Sequence, residues 1–177
     1  VFYHATCVDN ATPIISERKV SANKGNSVCQ SSNGFVSLSD RITRGIVEFF
    51  GNVIFEFDAL SLYDQNPSLA PRDYAIAEND VERYDELPFF ENEWCVPGTV
   101  TFGPEDINRV LFVTSKGRAE PGFQTIVDLL EHDGMAYLFV PERHLPDSIN
   151  SDTARYFFRL ENWSRFGESL GSHPHLL

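Results

Sequence analysis

Gly34-Phe35-Val36-Ser37-Leu38-Ser39-Asp40 alternates apolar and polar residues, the period-two pattern of a strand with one buried face. The alternation sends Ser37 and Ser39 to one side and Val36 and Leu38 to the other. Asp40 is placed to cap a helix in which Ile42, Ile46, Phe49 and Phe50 form an apolar stripe and Gly51 supplies the stop. Val53-Ile54-Phe55-Glu56-Phe57 follows as a second strand, rich in residues that fit a pleated surface. This strand, helix, strand unit is the best-defined local architecture in the chain, and its neighbours extend it into an α+β fold.

Toward the N-terminus, Phe2-Tyr3-His4-Ala5-Thr6 reads as a short strand, with His4 followed by small residues that let a ligand come close. Asp9, Asn10 and Thr12 offer caps and Pro13 suits a first turn, which predicts a brief helix to about Arg18. The polar residues from Ser21 to Gly34 have loop composition, and a long loop near a site is a candidate lid.

Toward the C-terminus, residues 61–86 turn to Pro, Asn, Asp, Tyr and Glu and read as one long connection, its acids a solvated face. Phe89-Phe90-Glu91-Asn92-Glu93-Trp94-Cys95-Val96 comes next. On an extended backbone Glu91 and Glu93 point to the same face. A carboxylate among aromatic rings is costly unless it is used or paired. The plainer alternative is an edge strand with both acids in water and Phe90 and Trp94 facing the core. Strands at 99–102, 109–113 and 136–140, a turn at 104–106 and helices at 121–132 and from Asp152 to near Gly167 complete the expectation. Residues 1–145 read as one domain and 146–177 as a helical appendage.

The chain has 177 residues, 42% of them hydrophobic, enough for one domain with a full core. Fifteen Phe, six Tyr and two Trp can pack such a core or line a cleft. A formal charge of -12 argues against a broad grip on nucleic acid phosphates. No run approaches the roughly 20 apolar residues of a membrane span, and the first residues lack a signal peptide's order. Cys7, Cys29 and Cys95 lack metal or paired-thiol spacing and read as thiols of a reducing, cytoplasmic compartment. His173 and His175 alone make a weak metal site, so no metal is expected. The common nucleotide, hydrolase and zinc-protease signatures are absent from the sequence.

What remains is a His on the first strand, a Ser-x-Ser strand running into a helix that ends Phe49-Phe50-Gly51-Asn52, and Glu91-Asn92-Glu93 before a Val-Pro-Gly turn. In that order these segments, spread over about the first two thirds of the chain, resemble the ADP-ribosyltransferase superfamily. The lack of an arginine on the first strand points to the His-containing, toxin-like branch. The resemblance implies split antiparallel sheets with short helices, and an enzyme that breaks the nicotinamide–ribose bond of NAD and passes ADP-ribose to an acceptor. NAD would then be a consumed substrate.

In that likeness His4 hydrogen-bonds a ribose hydroxyl, with Ala5 and Thr6 beside it. Ser37 and Ser39 line the nicotinamide pocket, and Phe49 or Phe50 stacks on the ring. Glu93 binds the ribose 2′-hydroxyl and favours the cationic sugar, while Glu91 activates or recognises the acceptor. The acceptor is a macromolecule, with protein favoured over nucleic acid by the acidic charge, and the protein works in the cytoplasm of the producer or of a target cell. An antitoxin or regulatory partner is compatible with a toxin-like enzyme. Three other readings stand beside this one. They are a non-catalytic module of the same fold engaging a basic protein, an RNA 2′-phosphotransferase, which needs a basic cluster that His4 lacks nearby, and an acidic mimic of DNA.

Overall fold

Every residue of Val53–Phe57 (β4) is buried, which places this strand inside the core of the described residues. A computed structural model describes residues 1–22, 34–71 and 93–147. Around β4 lie Phe2–Thr6 (β1), Phe35–Ser39 (β3), Ala70–Pro71 (β5), Glu93–Pro97 (β6), Ile107–Thr114 (β8) and Tyr137–Pro141 (β9). They form one seven-stranded sheet in the order β5-β6-β3-β1-β4-β8-β9. All neighbours are antiparallel except β8 and β9. Lys19–Ser21 (β2) and Thr99–Thr101 (β7) make a separate two-stranded ribbon. With four α-helices among the described residues, Val8–Glu17 (α1), Arg44–Phe50 (α2), Ala59–Gln65 (α3) and Gln124–His132 (α4), the class is α+β, as expected.

The two faces of the sheet carry different cores. On one, Phe2, Val36, Leu38, Phe55, Phe57, Trp94, Val110 and Phe112 pack against Ala11 and Ile15 of α1, Leu62 of α3 and Ile126 and Leu130 of α4. On the other, Ile54, Leu111 and Val113 meet Val47 of α2 and Leu145. The period-two alternation of the strands divides their side chains between these layers. The parallel pair β8 and β9 is joined through α4, the kind of crossover that parallel strands require.

Several local expectations are corrected. α1 starts at Val8 with Cys7 at its cap, so Asp9, Asn10 and Thr12 do not cap it and Pro13 lies inside it. The burial of Ala11 and Ile15, one turn apart, sets this register. Asp40 does not cap α2; its carboxylate takes Arg41 Nε at 2.9 Å, and Thr43 Oγ1 accepts from Ile46 N–H at 3.4 Å instead. The connection expected from Ser61 begins with α3, which Asp58 caps by accepting from Ser61 N–H at 2.9 Å. Ser21, expected to open a loop, pairs with Thr99 in the ribbon. Residues 23–33 of the candidate lid that runs from Ser21 to Gly34, the acids between Glu78 and Glu86, and the last helix lie outside the described residues.

Gly51 is required where it stands. Its φ is +127°, and a Cβ there would meet the Thr6 carbonyl carbon and oxygen at 2.3 Å. Only glycine lets the end of α2 approach the end of β1 so closely.

Candidate functional site

β1 and β3 are neighbours, yet their register pairs them only at Tyr3 and Ser39. β4 takes all five residues of β1 on the other side, and β6 takes all five of β3. Each inner strand is therefore held by its outer partner, while their common edge is joined at one end. His4 reaches across this edge, its Nδ1 lying 3.1 Å from the carbonyl oxygen of Ser37. With Nδ1–H donating to that carbonyl, Nε2 carries the lone pair and is an acceptor.

Burial lowers the His4 pKa below its ordinary value of 6.5, against the opposing effect of the Ser37 hydrogen bond. The ring is thus neutral near pH 7.

Glu93 arrives from β6. Its register partner is Ser39, Ser37 stands opposite Cys95, and the Ser37 hydroxyl donates to Glu93 Oε1. Glu93 is 2% exposed, which for this residue overturns the alternative of an edge strand with its acid in water. Two features explain the difference. β5 covers the outer side of β6, so β6 is not an edge, and the serine supplies a donor that a buried carboxylate needs. Trp94 faces the larger core as expected, its ring 5.1 Å from that of Phe2.

Ser37 therefore joins the two residues most separated in sequence, holding His4 through its carbonyl and Glu93 through its hydroxyl. His4 stands opposite Phe55 and so belongs to the face of the larger core, whereas Glu93 aligns with Ser39 and Tyr3 on the other face. One ligand can meet both only where β1 and β3 part.

The remaining expected residues are placed as follows. Ala5 is half-buried against the smaller core and Thr6 is buried at the end of β1. Ser39 is buried and its Oγ accepts from Arg41 N–H at 3.3 Å. Phe49 and Phe50 end α2 with their rings edge to face at 5.0 Å, and at 41% and 37% exposure they do not continue the buried stripe begun by Ile46. Glu91 lies outside the described residues.

Sequence reasoning passed over a polar row on the Glu93 face. Glu93, Ser39, Tyr3, Glu56 and Arg109 stand opposite one another on five successive strands. The signal was present in Val53-Ile54-Phe55-Glu56-Phe57, where an acid interrupts an apolar run. No group of His, Cys, Asp and Glu among the described residues has metal-holding geometry, and no described helix is long and apolar enough to cross a membrane.

Compared with models of known protein families and with curated protein sequences, the chain finds no match.

Proposed function

We propose that this chain is an NAD-dependent ADP-ribosyltransferase of the ADP-ribosyltransferase superfamily, acting on a macromolecular acceptor. The observation that carries the reading is Ser37, bonded to His4 on one side and to Glu93 on the other where β1 and β3 separate. A glycosyl transfer of this kind needs a fixed carboxylate near the sugar and neutral groups that orient its hydroxyls.

In the proposed reaction the nicotinamide–ribose bond breaks and its electron pair leaves with nicotinamide. Positive charge grows on the ribose, and Glu93, already out of water and held by Ser37, stabilises it with little reorganisation. The acceptor nucleophile then bonds to the anomeric carbon and loses its proton. Neutral His4 accepts a hydrogen bond from a ribose hydroxyl at Nε2, its Nδ1 being occupied by Ser37. Ser39 and the Phe49–Phe50 pair complete the nicotinamide pocket in this reading, and Glu91 serves the acceptor. Protein is favoured as acceptor over nucleic acid because the chain carries a formal charge of -12.

The test is nicotinamide release from NAD by the purified chain, with and without a cell lysate as acceptor, beside Glu93→Gln. The amide keeps the shape and loses the charge, so turnover should fall by about 10²–10³-fold while NAD binding persists. Release at the wild-type rate in Glu93→Gln would refute the assigned role.

A further inference from the structure

Tyr3, Glu56 and Arg109 stand opposite one another on β1, β4 and β8, so their side chains leave the same face of the sheet. Glu56 is 6% exposed, and its Oε2 accepts from Arg109 Nε at 3.0 Å. That bond uses one of the five guanidinium N–H groups. The terminal amino groups have no partner among the described residues, and the Arg109 side chain is 46% exposed. On the β9 side, Ala136 gives its carbonyl to Val110 N–H at 2.9 Å and offers only a methyl group as a neighbour.

We propose that Arg109, oriented by Glu56, binds a phosphate group. A buried carboxylate gripping Nε fixes the plane of the fork and leaves its outer edge with two parallel donors, the geometry that suits two phosphate oxygens. Tyr3 stands two strands from Arg109, its ring packed against the smaller core. Burial, followed by the nearby Glu56 carboxylate, raises its pKa and keeps it protonated. The other carboxylate acting on Tyr3 is Asp40, which is engaged by Arg41 at 2.9 Å. The site thus presents donors outward and keeps its acids paired beneath. It stands independently of the transferase reading.

Titration of the full chain with inorganic phosphate, followed by ³¹P NMR, tests this. Saturable binding is expected, weakened about tenfold in Arg109→Gln and several-fold in Arg109→Lys, which keeps the charge but loses the fork. Because Arg109→Gln leaves Glu56 unpaired and can fail to fold, Arg109→Lys carries the test in that case. Displacement of phosphate by NAD would assign the group to a dinucleotide, and simultaneous binding would assign it to a separate phosphate; both keep the site. No saturable binding by the wild type, or unchanged affinity in folded Arg109 variants, would overturn it. Nicotinamide release is a separate readout, so either reading can fail alone.

Discussion

The imidazole of His4 bonds not to another side chain but to the backbone of Ser37, Nδ1 to carbonyl oxygen at 3.1 Å, across the one edge of the sheet where two neighbouring strands pair at a single position. A backbone partner fixes the tautomer whatever side chain stands at position 37. It also links the ring's charge to stability. The folded pKa is lowered, so the unfolded chain binds the proton more readily, and stability falls as pH drops from the ordinary 6.5 through the folded value. In chemical denaturation at a series of pH values, His4→Gln should remove this part of the acid slope. It should also weaken NAD binding in the proposed enzyme, which calorimetry would read. An unchanged slope and affinity would mark the histidine as a spacer.

Ser37→Ala leaves the Glu93 carboxylate buried without the hydroxyl that donates to it. The expected cost is about 1–3 kcal/mol of stability. In the transferase reading nicotinamide release drops as well, by about tenfold if the loss is one hydrogen bond's worth of positioning. Ser37→Thr keeps the hydroxyl and should recover most of both. The discriminating result is a threonine variant no better than alanine, which would show that shape and not the hydroxyl matters.

Gly51→Ala places a methyl group within 2.3 Å of the Thr6 backbone at a φ of +127°. Both the contact and the backbone conformation are unfavourable, so a loss of about 3 kcal/mol or more in unfolding free energy is expected. A thermal melt suffices to measure it. A melting temperature equal to the wild type's would mean that α2 can move away from β1.

Asp106 is 4% exposed and takes hydrogen bonds from the Ser61 hydroxyl, from Gln65 Nε2 at 2.7 Å and from Gly103 N–H at 2.6 Å. Burial pushes its pKa up, but these donors outweigh burial and hold it below the ordinary 3.8. Its contribution is therefore complete above that value and disappears as pH falls through the lowered one. Asp106→Asn should cost about 1–3 kcal/mol at pH 7 and flatten the steepest part of the acid unfolding curve. An unaltered curve would remove Asp106 from the account of acid stability.

Local pattern carried much of this fold. The alternation in Phe35–Ser39 and the apolar run of Val53–Phe57 predicted two strands that the structure shows, because burial on one face or both leaves a direct mark on composition. Helix starts were less legible. Asp40 and Thr43 are both good caps by chemistry, and the choice of Thr43 goes with the packing of Ile46 and Val47 rather than with any local preference. The hydrogen bonds that join His4, Ser37 and Glu93 leave no local mark in the sequence. No local rule places β3 between β1 and β6. The Glu56–Arg109 pair was missed for the same reason, since strand order decides which acid meets which base. β6 is kept from the sheet edge by β5, a two-residue strand too short to leave a pattern.

The bond between Ser37 and Glu93 closes a separation of 56 residues, comparable to that between paired residues of β4 and its neighbours β1 and β8. Closing so long a span costs chain entropy before any contact repays it. In time, then, His4 and Ser37 are synthesised before the acid of the candidate site. Because β3 pairs with β1 at one position and with β6 at five, Ser37 is fixed beside His4 only once β6, and Glu93 with it, has joined the sheet. In the proposed enzyme, chemistry that depends on all three would switch on only when the sheet has added β6 beside β3, so that completion of folding itself would arm it.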